Sequence, residues 1–227
     1  MSDTDSFIEE VTEEVRRERL FGYMRKYGWI AVALVLLIVG GAAWNEVEKS
    51  RARSAAEASG DAIFRAVQAN DIPARVAALQ SLETESPEAQ MVADFLLAAN
   101  QADAGDRSGA AATLEGLVNA ADSDMPEIYR QIALFKSVAL SGADRSADER
   151  RALLEPLAVP GAPLALLAQE QLALIDIETG ETGAAIDRLN AISQDSAVSA
   201  GLRRRATQLI VALGGTPEAI AGQTASQ

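Results

Sequence analysis

The chain has 227 residues and a formal net charge of −13, and it contains neither cysteine nor histidine. Without cysteine, disulfides and thiolate metal sites are excluded, and without histidine the usual nucleophilic triads and zinc centres are disfavoured. The acidic excess argues against nucleic-acid binding, and an alanine-rich chain with 4% aromatic residues favours packed helices over a β-sandwich.

Residues 1–26 form a tail of mixed charge. Apolar side chains recur at helical spacing from Phe7 to Met24, and glutamate and arginine occupy the other face. The spacing predicts an amphipathic helix at residues 6–24. Two interpretations stay open, namely a solvated tail and a helix that lies on the membrane or binds a cytosolic partner.

An uncharged run extends from Tyr27 to Asn45. A helix of this length spans about 28 Å, close to the thickness of a bilayer's hydrocarbon core. We therefore predict a transmembrane helix at residues 27–45. The helical pattern continues beyond it, and the longer predicted helix is 28–69. Aromatic and basic side chains that suit a membrane interface flank the predicted transmembrane helix, namely Arg25, Lys26, Tyr27, Trp29 and Trp44.

A cleaved signal peptide and a buried soluble helix are the alternatives to this anchor. The 26 residues before the uncharged run are more than the short basic segment that begins a signal peptide. Only Gly41-Ala42-Ala43 resembles a cleavage site. The basic pair at 25–26 precedes the run, whereas Glu46 and Glu48 follow it. This asymmetry favours a cytoplasmic N-terminus with the remainder of the chain outside.

After the predicted span, residues 46–86 are expected to connect to a repeat domain at 87–213, followed by a flexible tail at 214–227. Asn70-Asp71 and Thr84–Ser86 interrupt the helical pattern, and Pro73 and Pro87 suit the first turns of new helices. The remaining predicted helices are 73–84, 87–104, 107–120, 126–141, 146–158, 163–179, 182–194 and 198–213.

The repeat domain shows internal similarity. Two segments that begin at Leu97 and Leu172 lie 75 residues apart and match without gaps. Each predicts an apolar helix, a glycine turn at Gly105 or Gly180, and a second helix that starts with small residues. A degenerate copy places Gly142 at its turn, 37 residues after the first glycine. This period is close to the roughly 34 residues of tetratricopeptide repeats, so we predict an all-α chain with a tetratricopeptide-like hairpin solenoid.

Stacked hairpins form a curved wall that can hold a peptide or a partner helix. We predict a partner groove from the first helix of each hairpin, in which Phe95, Tyr129 and Phe135 are either apolar anchors or core. The polar candidates are Asp94, Asn100, Gln101, Arg130, Lys136, Gln169 and Asp176.

No motif predicts catalysis or a cofactor. Asp122 and Asp124 form the nearest carboxylate cluster, but they lack the glycine and terminal glutamate of an EF-hand loop and are typical of a helix cap. The basic run Arg203–Arg205 is typical of a solvated helix face, and an acidic partner surface or a lipid headgroup contact are its alternatives. We therefore predict a non-enzymatic protein.

The whole pattern resembles a known bacterial family. It is carried by the entry FIEEVTEEVRRERL…RKYGW, the run WIAVALVLLIVGGAAW and the three glycine turns. The family is the tetratricopeptide-like ancillary subunit of the Sec translocon, a single-span inner-membrane protein with a periplasmic body. The resemblance implies that the partners are the translocon and periplasmic chaperones, notably a membrane-anchored peptidyl-prolyl isomerase-like protein. A structural adaptor for envelope assembly or cell division is the alternative with the same fold.

Overall fold

A computed structural model describes residues 3–84, 86–120 and 125–218, with side chains placed from residue 25 onward except at 28, 31 and 32. This part of the chain is helical and contains no strand, which confirms the all-α prediction. Short 3-10 turns at Gly142–Asp144 and Glu155–Leu157 accompany the α-helices. The helices are α1 (Asp3–Val67), α2 (Ile72–Gln80), α3 (Pro87–Asp103), α4 (Arg107–Asn119), α5 (Glu127–Ser141), α6 (Ala147–Leu154), α7 (Ala165–Glu178), α8 (Thr182–Gln194) and α9 (Ala200–Ala212).

The chain divides into two compact units, Met1–Glu57 and Ala58–Gln227. Among the described residues, the first unit consists of the part of α1 up to Glu57. The helix is continuous where the sequence pattern predicts a break between residues 24 and 28. That prediction was wrong because the intervening residues include no proline, and a single glycine is tolerated within a helix. Large apolar side chains from Trp29 to Trp44 are exposed along this helix.

A search of the described residues finds no helix that is both long enough and apolar enough to cross a membrane. The transmembrane helix at residues 27–45 therefore stays a prediction from the sequence.

In the second unit, helix starts follow the local sequence closely. Asp71 caps α2 by accepting from the backbone N–H of Ala74 at 2.8 Å, and Ser86 caps α3 by accepting from Ala89 at 3.1 Å. Pro73 lies in the first turn of α2, where a missing N–H costs no helical hydrogen bond, and a proline also begins α3.

Each helix from α2 to α9 packs against the next one in the chain. Four clusters of buried side chains lie between successive helices, so the core is divided along the stack rather than centred at one point. This nearest-neighbour packing is the organisation of helical repeat proteins.

The 75-residue repeat is visible in the packing. The apolar positions that match between the two segments are buried in both copies, because each faces the partner helix of its own hairpin. Ala110 and Ala185, both 0% exposed, keep the second helix close to the first. The other buried pairs are Leu97 with Leu172, Ala98 with Ala173, Leu114 with Leu189, and Leu117 with Ile192.

Two of the three predicted glycine turns share one geometry. Gly105 and Gly180 have positive φ angles of 87° and 82°. After each glycine, a backbone N–H reaches back five residues, from Asp106 to the carbonyl of Gln101 at 2.9 Å and from Glu181 to that of Asp176 at 2.7 Å. These are Schellman motifs, in which glycine ends the helix without steric strain.

The turn at Gly142 is different. Its φ of 46° and ψ of −126° place it outside the left-handed helical region, and a 3-10 turn at Gly142–Asp144 follows. The middle copy has about three extra residues between its helices, so its turn is longer, and α6 has only eight residues. The degenerate copy in the sequence is thus an irregular hairpin in the structure.

Candidate functional site

In each of the two regular hairpins, a side-chain hydrogen bond joins the two helices at equivalent positions. In the first, the hydroxyl of Thr113 donates to the side-chain carbonyl of Gln101 at 2.8 Å. In the second, 75 residues on, Arg188 Nε donates to Asp176 at 3.1 Å. Both acceptors are buried, with 6% of Gln101 and 2% of Asp176 exposed. One side-chain hydrogen bond therefore joins the two helices of each hairpin at the same place.

In the second hairpin, the buried Asp176 also binds a side chain from a third helix. Arg151 on α6 binds the other oxygen of Asp176 at 3.1 Å and also contacts Glu181 at 3.1 Å. The hydrogen bond to the buried carboxylate raises the pKa of the Arg151 guanidinium above its ordinary value, despite partial desolvation. Asp176 thus holds α6, α7 and α8 together through two guanidinium groups.

These contacts revise the predicted groove. Gln101 and Asp176 lie inside the hairpins, where their side chains bind neighbouring helices and present no open surface. The sequence pattern could not place them, because whether a polar residue near the end of the first helix faces solvent depends on the residue opposite it on the second helix. The residues opposite are Thr113 and Arg188, which sequence reasoning did not single out.

Most of the other predicted polar residues are also engaged locally. Asn100 accepts from Arg75 at 2.9 Å and donates to the Leu96 carbonyl at 2.8 Å. Arg130 donates to the Met125 carbonyl at 3.3 Å. Asn100 thus links α3 to α2, and Arg130 binds the residue just before its own helix, so the two side chains do not converge on one site.

Lys136 is exposed at a cleft of about 310 Å³ between α3, α4 and α5, which Phe95 and Asp103 also line. Tyr129 is 42% exposed, whereas Phe135 packs against the core between α5 and α7. Phe95 packs against the cluster of buried side chains between α3, α4 and α5. Of the three aromatic anchor candidates, Phe95 and Phe135 therefore contribute to the core, and Tyr129 is the exposed one.

Asp94 is half-buried on α3. Its desolvation raises the pKa of the carboxyl group above the ordinary value, and the hydrogen bond that Gln90 donates at 3.0 Å opposes this shift. A raised pKa means that the folded chain holds the proton more tightly than the unfolded chain does. The contribution of Asp94 to stability is therefore present in full below the unfolded-state pKa and is lost as the pH rises through the folded-state pKa.

Replacement of Asp94 by asparagine is accordingly expected to raise the free energy of unfolding near pH 7, because asparagine keeps the polar contact without the desolvated charge. Near pH 3 the gain should vanish, since the native carboxyl is then protonated. Urea unfolding followed by circular dichroism at both pH values measures the difference. An equal gain at the two pH values would rule out ionisation as the cause.

The basic run at residues 203–205 is not one surface. Arg203 donates to the carbonyl of Ser193 at 3.0 Å and so closes the end of α8. Arg205 forms a two-pronged pair with the buried Glu170 on α7, at 2.7 and 2.8 Å. Two of the three arginines thus bind within the stack, although the Arg205 side chain stays 53% exposed. Arg204 is exposed and forms neither a hydrogen bond nor an ion pair through its side chain with the described residues.

The second unit contains a cleft of about 910 Å³, here called the α7–α8 cleft. It lies where the start of α7 meets the end of α8, between the loops at 158–164 and 195–199. Its floor is apolar and comes from Leu166, Leu167, Ile192 and Leu202. Clefts of this size and composition are typical of ligand-binding and peptide-binding sites.

Two proline turns build one wall of the α7–α8 cleft. Pro160-Gly161 form a turn closed by Ala162 N–H to the Val159 carbonyl at 3.0 Å, with Gly161 at φ 85°. A second turn at Pro163 leads directly into α7. The motif Val-Pro-Gly-Ala-Pro is a strong local turn signal, and it is the sequence feature that could have identified this wall.

Side-chain contacts fix the rest of the α7–α8 cleft. Gln169 donates to the Ala158 carbonyl at 3.0 Å and accepts from Arg188 at 2.6 Å. On the other side, the Asp195 carboxylate accepts from Ala197 N–H at 2.7 Å. Gln169 is the one predicted groove residue that lines this cleft. Its side-chain amide links the loop at Ala158 to Arg188 on α8.

The lining of the α7–α8 cleft consists mostly of apolar side chains, which suit it to binding. Its apolar floor carries no nucleophile–base pair, and no cluster of acidic residues able to hold a metal ion occurs among the described residues. The carboxylate pair considered at 122 and 124 lies outside the described residues. Shape, apolar contact and charge at the rim are therefore the properties this cleft offers a partner.

The predicted membrane-interface side chains lie on the first unit. Trp29 and Trp44 are 69% and 74% exposed, and the Lys26 ammonium lies 5.6 Å from the centroid of the Tyr27 ring. Arg25 precedes them on the same helix and is exposed.

Residues 22–156 match the family model of the tetratricopeptide repeat-like domain, which covers more than half of the chain. Comparison with curated proteins and with solved structures gives no significant match. The matched residues end after α6, yet the α7–α8 hairpin shares the glycine turn, the internal hydrogen bond and the buried positions of the α3–α4 hairpin.

Proposed function

The chain belongs to the tetratricopeptide repeat-like domain family, and on that basis we propose that it is a membrane-anchored protein interaction module that serves the Sec translocon as an ancillary subunit. In this role it links the translocation of secreted proteins to periplasmic chaperones. A membrane-anchored peptidyl-prolyl isomerase-like protein is the chaperone partner implied by the sequence resemblance.

The observation that carries the interaction role is the α7–α8 cleft in a stack of helical hairpins. The cleft has a volume of about 910 Å³ and an apolar floor, and it lies between two loops. It therefore offers a protein partner a concave apolar surface. Repeat domains of this kind expose such surfaces for protein partners. The translocon as the partner rests on the sequence resemblance alone.

Membrane attachment is part of the proposal and is supported by the apolar run at residues 27–45. Side chains such as Leu37, 74% exposed, and Ile38, 63% exposed, face outward on α1. Burying such a surface in lipid is favourable by roughly 25 cal/mol per Å². With a cytoplasmic N-terminus, the second unit lies in the periplasm, where tethering raises its concentration near membrane-bound partners.

Photo-crosslinking in intact cells tests the function. A photoreactive residue at Ala191, which lines the α7–α8 cleft, is expected to capture translocon subunits or periplasmic chaperones, and the same residue at exposed Ala112 on α4 is the matched control. Capture of envelope-assembly or division proteins instead would favour the adaptor alternative. Absence of any protein capture from both positions would refute an interaction role.

A further inference from the structure

We infer that the α7–α8 cleft binds an extended peptide segment whose apolar side chains are flanked by lysine or arginine. This inference rests on the proposed interaction role and specifies the chemistry of its partner. It depends on three properties of the described cleft: an apolar floor, carboxylates at the rim and a helix start that lacks a side-chain cap.

The floor selects apolar side chains. Leu166 and Leu167 on α7 are partly exposed, and Ala184 and Ala191 on α8 are exposed alanines that leave room above the buried Ile192. An inserted leucine or valine would cover this surface and lose its contact with water. The gain from such burial is about 1.5–3 kcal/mol for a fully enclosed side chain.

The charges at the rim select cations. Asp187 and Asp195 both line the cleft and are exposed. The one guanidinium in the lining belongs to Arg188, and it is already bound to Asp176 and Gln169 at 3.1 and 2.6 Å. Because the lining holds two carboxylates and one guanidinium, the net charge offered to a ligand is negative. Opposite charge on the ligand speeds association and excludes acidic segments.

The start of α7 favours a peptide over a small organic cation. Leu164 caps this helix without a side-chain hydrogen bond. The N–H of Ala165 is bonded to the Ala162 carbonyl at 3.1 Å, so the N–H groups of Leu166 and Leu167 are the ones left to acceptors outside the helix. Backbone carbonyls of an extended peptide supply such acceptors beside the apolar floor. A peptide therefore satisfies all three properties at once.

The walls are fixed before binding. Proline turns at 159–165 and the arginine contact from Arg203 to the end of α8 hold both loops in place. A preformed cleft loses less conformational entropy when a peptide enters, which leaves more of the contact energy for affinity.

Fluorescence anisotropy with the full chain in detergent micelles tests this inference. The probe is a short fluorescein-labelled peptide that alternates leucine and lysine, compared with a leucine–glutamate peptide of equal length and with empty micelles. Binding of the lysine peptide, at least about tenfold tighter than the glutamate peptide at low salt, is the expected result. Equal binding of both peptides, or binding of neither, would overturn the inference.

Matched variants locate the binding. Ala191→Trp fills the cleft from an exposed helix position, and the pair Asp187→Asn with Asp195→Asn removes the rim charge while the asparagine at 195 keeps an acceptor for its turn. Each is expected to weaken binding about tenfold, whereas Ala112→Trp and Asp144→Asn, which lie away from the lining, should leave it unchanged. Equal effects of cleft and control variants would contradict the location.

The experiments distinguish failure of the proposed function from failure of the peptide-binding inference. If photo-crosslinking captures protein partners but the peptide does not bind, only the peptide chemistry is wrong. If the peptide binds in the α7–α8 cleft but no protein is captured in cells, the proposed function is wrong and the cleft chemistry stands.

Discussion

Replacement of Asp176 by alanine is expected to lower the free energy of unfolding by about 3 kcal/mol. The carboxylate is 2% exposed and binds Arg151 and Arg188 at 3.1 Å each. Removing it leaves two cations beside each other without their shared partner, and the loss extends over three helices. The estimate lies at the lower end for a broken buried ion pair, because both arginines reach solvent and can be rehydrated.

Urea unfolding of the full chain in detergent, followed by far-ultraviolet circular dichroism, measures this effect. Asp148→Ala is the matched control, since Asp148 contacts the same Arg151 at 3.5 Å from a side chain that is 96% exposed. A solvated pair of this kind contributes little, so the control should lose only a small fraction of the stability lost at Asp176. Equal losses at the two positions would show that Asp176 is not the centre of the network.

Replacement of Gly105 by alanine is expected to destabilise the fold by about 1–2 kcal/mol. The φ angle of 87° is one that residues with a Cβ rarely adopt, and no atom lies within 4 Å of the added methyl group. The cost is therefore conformational and includes no steric overlap with a neighbour. Loss of this glycine weakens the Schellman motif that ends α3.

Replacement of Gly116 by alanine, in the same hairpin, is expected to have the opposite effect on stability. Gly116 lies within α4 at helical angles, and again nothing lies within 4 Å of an added methyl group. Gly116→Ala should therefore raise stability by up to about 1 kcal/mol, through higher helix propensity. Urea unfolding of both variants gives the comparison, and a loss at both positions would show that general crowding, rather than the backbone angle at Gly105, controls the effect.

Local features of the fold could be predicted from the sequence. Ser86 before Pro87, and glycine after an apolar helix at Gly105 and Gly180, specify helix ends through contacts within a few residues. The repeat itself could be recognised because matching positions are buried in both copies. The middle hairpin could be predicted only as a degenerate copy, since its longer turn at Gly142 has no counterpart in the regular pair.

The candidate site could be predicted only in part. Among the polar residues chosen for a groove, Gln169 lines the α7–α8 cleft, whereas Asp176 forms a buried link between helices. The rim residues Asp187 and Asp195 and the proline wall were not selected. Their roles arise where α8 and two loops distant in sequence meet the start of α7.

The sequence by itself determined the acidic charge, the absence of histidine and cysteine chemistry, the positions of most helices and the repeat of small and large apolar residues. These properties depend on composition or on contacts between residues three to five positions apart along a helix. The tertiary structure decided which polar side chains are buried and where a cleft remains open. Each of those outcomes depends on a residue on another helix, as Asp176 depends on Arg151 and Arg188, and periodicity along one helix carries no information about that partner.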